Sequence, residues 1–95
     1  MKDVFAELQK AFPQVRKRSA VMRIVEDVAE RSGVSKFQIL SRSRLSEYVE
    51  ARDEVILKAK KSLKISNAQL GRILGGRKHS TITYSLKRSL RLPHP

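Results

Sequence analysis

Apolar residues recur at intervals of three and four along this chain and nowhere alternate with polar ones, which restricts the fold to packed helices. Val21, Ile24, Val25, Val28 and Ala29 form one such stripe in a helix beginning near Ser19, and Gly33 stands where a C-terminal cap is wanted. Val4, Phe5, Leu8 and Phe12 form another over residues 3–12. Pro13 is expected to stop that helix ahead of a basic connector, Arg16-Lys17-Arg18. Ser35 can N-cap a short helix carrying Phe37, Ile39 and Leu40, and SRSRLS (41–46) reads as a polar, basic loop. The longest helix is predicted from about Glu47 to about Leu63 with Ser46 as its N-cap. Ser66 and Gln69 form a capping box that opens a short helix through Leu74, and Gly75-Gly76 breaks it. A final helix is predicted from about Lys78 to about Leu90, burying Ile82, Leu86 and Leu90.

The fold class expected is therefore all-α, a helical bundle with a C-terminal helix-turn-helix. The chain divides into an N-terminal helix and connector (1–18), a helical domain (19–92) and a short tail (93–95). Ninety-five residues support one modest core. No cysteine is present, which excludes disulfide staples and thiolate metal sites and suits a cytoplasmic setting. No apolar run reaches the length of a membrane span, no secretory signal is seen, and Met1 is expected to be a natural start.

Net charge is +12, and its placement is more informative than its size. All 9 acidic residues lie at or before Glu54, whereas residues 55–95 hold ten Lys or Arg and no acid. An acid-free segment of that length suits a phosphate-bearing partner. Part of its charge has a local explanation. Glu47, Glu50, Asp53 and Glu54 precede Lys58, Lys60, Lys61 and Lys64, an order that complements the helix dipole, and Glu54 to Lys58 is a favourable i,i+4 pair.

The segment Arg77-Lys78-His79-Ser80-Thr81 has no such explanation. Cations at a helix N-terminus oppose the dipole by about 0.3–1 kcal/mol each when exposed, and a nearby phosphate reverses that sign. Two short helices about a glycine turn form a helix-turn-helix, whose second helix offers its N-terminal residues to the major groove. Arg, Lys, His, Ser and Thr suit base edges and phosphates there.

These residues carry a family resemblance. IVEDVAERSGVSKFQILSRSR (24–44), a long helix, and LGRILGGRKHSTITYSLKR (70–88) resemble the C-terminal DNA-binding domain of the bacterial replication initiator DnaA, over about three-quarters of the chain. The G-G-R-x-H-[ST]-T core at Gly75 to Thr81 is its most specific part. The resemblance implies a Trp-repressor-type bundle that binds short asymmetric boxes in duplex DNA. It implies base or phosphate contacts from Lys78, His79, Ser80 and Thr81, a minor-groove arginine at Arg44 beside Arg42, and a backbone-contacting arginine at Arg52. The chain departs from the family pattern where Lys78 replaces an Asp, Ala51 a proline, Asp53 a glutamine and Ser80 a threonine. A donor at Lys78 in place of an acceptor leaves the target sequence open.

No G-x-x-x-x-G-K-[ST] loop is present, so no ATPase is expected in these residues. The carboxylates at Glu26, Asp27, Glu30 and at Glu50, Asp53, Glu54 share helix faces but lack a nucleophile or base, and read as solvated surface. His79 has only His94 as a fellow histidine, so no metal site and no cofactor are expected. Aromatic residues are scarce at 5%, against single-strand binding by stacking, and no RNA-binding motif is present. The expected function is non-enzymatic: a nucleoid-associated binder of double-stranded DNA that regulates replication or transcription. A non-specific architectural binder and an adaptor recruiting a partner or second copy through Val4, Phe5, Leu8 and Phe12 are the alternatives.

Overall fold

The computed structural model describes residues 13–91, with side chains from 16 to 89, and the described residues fold as five helices with no strand. These are α1 (Pro13–Ser32), α2 (Lys36–Leu40), α3 (Ser46–Ser62), α4 (Asn67–Ile73) and α5 (His79–Arg91). Val4, Phe5, Leu8 and Phe12, the side chain of Leu90, and the tail at 93–95 lie outside the described residues.

The core gathers one stripe from each helix. Val21, Val25 and Val28 of α1 meet Ile39 of α2, Ala51, Val55, Ile56 and Ala59 of α3, Leu70 of α4 and Ile82 of α5. Leu74 closes the end of α4, and Ile24, Ala29, Tyr48 and Leu86 pack around the rim. Each fully buried Val, Leu or Ile contributes about 1.5–3 kcal/mol, so this cluster holds the fold together. Helices α1 and α3 run antiparallel, as ion pairs from Arg31 to Glu54 at 2.9 Å and from Lys58 to Asp27 at 3.7 Å require. Lys58 also reaches Glu54 at 3.2 Å, the pair expected from sequence. These groups are a third or more exposed, so they fix direction more than they stabilise. Phe37 turns outward from α2 and is 85% exposed.

Local signals set most helix ends. Ser35 with Gln38, and Ser66 with Gln69, each form a complete capping box. Two boundaries differ from expectation, the start of α1 and the N-cap of α3. Arg16, Lys17 and Arg18 are helical instead of forming a connector. Pro13 sits in the first described turn of α1, where its missing N–H costs nothing and its fixed φ suits a helix. The N-cap of α3 is Leu45, not Ser46, with extended backbone at φ −57°, ψ 135°. Its carbonyl accepts the N–H groups of Tyr48 and Val49, while its own N–H is taken by the Ser43 hydroxyl. Helix α5 begins at His79, because Lys78 sits at the cap and offers its carbonyl to Thr81 and Ile82.

The turn between α4 and α5 depends on glycine at two kinds of site. Gly75 and Gly76 adopt φ of +84° and +77°, which reverses the chain after Leu74. Gly71 has helical backbone but lies under the returning chain: the Arg77 N–H donates to its carbonyl at 2.7 Å. A Cβ at Gly71 would stand 2.1 Å from the Arg77 carbonyl oxygen. Gly71→Ala must therefore push the turn off α4 and is expected to cost about 2–4 kcal/mol. Gly33→Ala meets no atom within 4 Å and incurs only the left-handed backbone cost at φ +76°, about 1–2 kcal/mol. Urea denaturation of the two variants checks this order.

Candidate nucleic-acid interface

Helix α4, the glycine turn and α5 form the expected helix-turn-helix, and a side-chain bond ties the pair. The Asn67 amide donates to the Thr83 hydroxyl at 3.1 Å, which in turn donates to the His79 carbonyl at 3.0 Å. This leaves Lys78, His79, Ser80 and Thr81 exposed together on the opening turn of α5. Ile82 is wholly buried behind them, so the turn is anchored from one side and free on the other.

Sequence grouped Arg77 with Lys78; the structure separates them. Arg77 is 8% exposed, and its guanidinium folds back to donate to the carbonyls of Leu74 and Ser41. Leu74 is the C-cap of α4, and Ser41 is the C-cap of α2. Helix C-termini carry unpaired carbonyls and partial negative charge, so two short helices end on this one cation. Burial, followed by the nearby positive charges of Arg52 and Arg42, lowers the Arg77 pKa to about 10, which leaves it charged at neutral pH.

Arg52 meets the same loop from the other side. Rising from the first half of α3, it donates through Nε to Ile39 at 2.7 Å and through Nη2 to the carbonyls of Ser41 at 2.8 Å and Ser43 at 3.3 Å. Its pKa is lowered, chiefly by burial, with Asp53 opposing the effect and Arg88 adding to it. Arg42 crosses from the loop to the turn, donating to the Gly75 carbonyl at 3.2 Å. Arg44 remains exposed. Of the expected contact residues, Arg52 and Arg77 thus hold the 41–44 loop and the helix turn in one arrangement, and Arg44 projects from it.

An open groove of about 740 Å³ runs between that loop, α3 and α5, lined by Arg44, Arg52, Ser80, Thr81, Tyr84 and Arg88 among others. The loop and the opening turn of α5 therefore face a common space. On the α3 wall, Asp53 is 13% exposed and accepts the Ser85 hydroxyl at 2.6 Å and the Arg88 Nε and Nη2 at 2.9 Å each. This hydrogen bonding raises the Arg88 pKa, against a smaller effect of burial. The Arg88 guanidinium also lies over the Tyr84 ring, 5.5 Å from its centroid. From sequence, Asp53 reads as solvated helix surface and as a departure from the family pattern, and nothing marks Arg88; the structure instead largely buries Asp53 and pairs it with Ser85 and Arg88. No local pattern joins residues so far apart in the chain; only the crossing of α3 and α5 brings them together.

A glycine-turned helical pair with a cationic, hydroxyl-rich opening turn defines a helix-turn-helix protein of the nucleic-acid-binding class. The family model described as the bacterial DnaA protein helix-turn-helix matches residues 21–88, and the chain belongs to that family of replication-associated DNA-binding domains. No curated protein and no solved structure matches the chain. Among the described residues no helix is long and apolar enough to cross a membrane.

The split between neighbours is measurable. Arg77→Ala strands two carbonyls at the ends of α2 and α4 and is expected to lower stability by about 2–3 kcal/mol. Lys78→Ala removes an exposed side chain and is expected to change stability by less than about 0.5 kcal/mol. Chemical denaturation of both variants, beside wild type, tests this.

Proposed function

We propose that this chain is a sequence-preferring binder of double-stranded DNA that lays the opening turn of α5 in the major groove and sets the 41–44 loop on the adjacent minor groove or backbone. The observation that carries the reading is the common groove shared by Arg44 and by Ser80 and Thr81. A B-form major groove about 12 Å wide admits one helix, and a basic loop beside that helix meets the flanking phosphates or the next groove. Lys78, His79, Ser80 and Thr81 are the side chains free to read bases. Arg44 is the outward loop cation, supported by Arg42. Arg52 and Arg77 serve the interface from within by holding the loop.

The role is regulatory and non-enzymatic: occupancy of sites in replication or transcription control, in the cytoplasm at the nucleoid. These 95 residues hold no phosphate-binding loop of the ATPase type, so this segment occupies its sites without hydrolysing ATP. The bundle of α1 to α5 is the binding unit, and the boundary expected at residue 19 falls inside α1 (Pro13–Ser32). One observation favours a second reading, non-specific binding: Arg16, Arg18, Arg23, Lys61, Lys64 and Arg72 are exposed and pair with no carboxylate among the described residues. Such cations add phosphate affinity without sequence information.

Selection of bound sequences from a random duplex library, run at two salt concentrations, separates the readings. A motif that survives the higher salt is expected, with Lys78→Ala and Ser80→Ala losing roughly tenfold in discrimination at their own base positions. Recovery of unselected sequence with steep salt dependence contradicts direct readout.

A further inference from the structure

We propose that Arg88 is a further DNA-contacting residue, a phosphate ligand carried by α5 and held in the groove by Asp53 of the α3 wall and by Tyr84. The inference rests on the reading of this groove as the DNA-binding surface and adds a contact that the expected set omits.

A guanidinium has five N–H donors arranged on distinct edges. In Arg88 the side edge is engaged: Nε donates to one Asp53 oxygen and Nη2 to the other, both at 2.9 Å. Among the described residues Nη1 has no partner, so the end-on fork formed by Nη1 and the second Nη2 hydrogen is free. That fork is the edge which binds phosphate in a bidentate manner. The side chain is 40% exposed and lines the same groove as Arg44 and Thr81.

Its support is rigid. Asp53 is fixed by α3 on one side and by the Ser85 hydroxyl on the other, and the Tyr84 ring lies beneath the guanidinium. A carboxylate at 13% exposure would repel an approaching phosphate if it were bare. Paired, it spends its charge on orienting the cation. The ordering of a long, flexible side chain is already complete in the free protein, so little is lost on binding.

Neutralising Arg88 alone also unmasks Asp53, so the decisive variant replaces the pair together. Duplex affinity of the 95-residue chain is measured across a salt series for wild type, Arg88→Gln and Asp53→Asn/Arg88→Gln, on a selected duplex and a scrambled one, with folding followed by circular dichroism. The double variant is expected to bind both duplexes roughly fivefold to tenfold more weakly, with the salt slope reduced by about one ion. Arg88→Gln, which keeps an amide donor for Asp53, is expected to lose at least as much and serves alone if the double variant does not fold. A double variant, or failing that Arg88→Gln, with wild-type slope and affinity overturns the assignment and leaves Arg88 a strut between helices. Wild-type binding that depends on Lys78 or Arg44 but not Arg88 overturns this inference alone; absence of duplex binding by wild type overturns the functional reading as well.

Discussion

The Ser41 carbonyl oxygen accepts hydrogen bonds from two arginines, Arg52 rising from α3 and Arg77 returning from the helix turn. Around it, Ile39, Ser43 and Leu74 give up their carbonyls to the same two guanidiniums. A charged group buried without a partner is strongly destabilising, and here the partners are backbone carbonyls left over where short helices end. No acid is needed. The consequence is geometric: the basic loop and the helix turn, far apart in the chain, cannot shift independently while both arginines hold one oxygen.

Helix α3 supplies the rest of the frame through consecutive residues. Arg52 braces the loop, and Asp53, one position on, braces α5 through Ser85 and Arg88. Side chains one apart on a helix point about 100° apart, so adjacent residues serve two neighbouring elements. The opening turn of α5 and the loop then flank a single groove lined by cations, hydroxyls and the exposed carboxylate of Glu50. Polar atoms used to build the frame are turned inward, and those left over are the ones available to nucleic acid.

Much of this was legible in the sequence. The apolar stripe of α1, the Ser66–Gln69 box and the glycine break at 75–76 are local signals, and each appears where its chemistry predicts. The boundaries that differ have local causes too: Pro13 suits the first turn of a helix, so α1 runs from there and not from Ser19, and the Ser43 hydroxyl holds the N–H of Leu45, which takes the cap one residue ahead of Ser46. Arg77 shows the limit of such reading. A cation ahead of a helix looks the same whether it faces solvent or folds beneath the turn, and the deciding partner, Ser41, is 36 residues away. Asp53 and Arg88, 35 residues apart, were hidden for the same reason.

Amide hydrogen exchange on Arg52→Ala tests the shared-carbonyl coupling most directly. The variant removes the α3 side of the junction without touching the helix-turn-helix. Coupling through Ser41 predicts faster exchange both in the 41–45 loop and at the Arg77 N–H, which bonds to Gly71 at 2.7 Å in the intact protein. Faster exchange confined to the loop, with the Arg77 N–H as protected as in wild type, would contradict it.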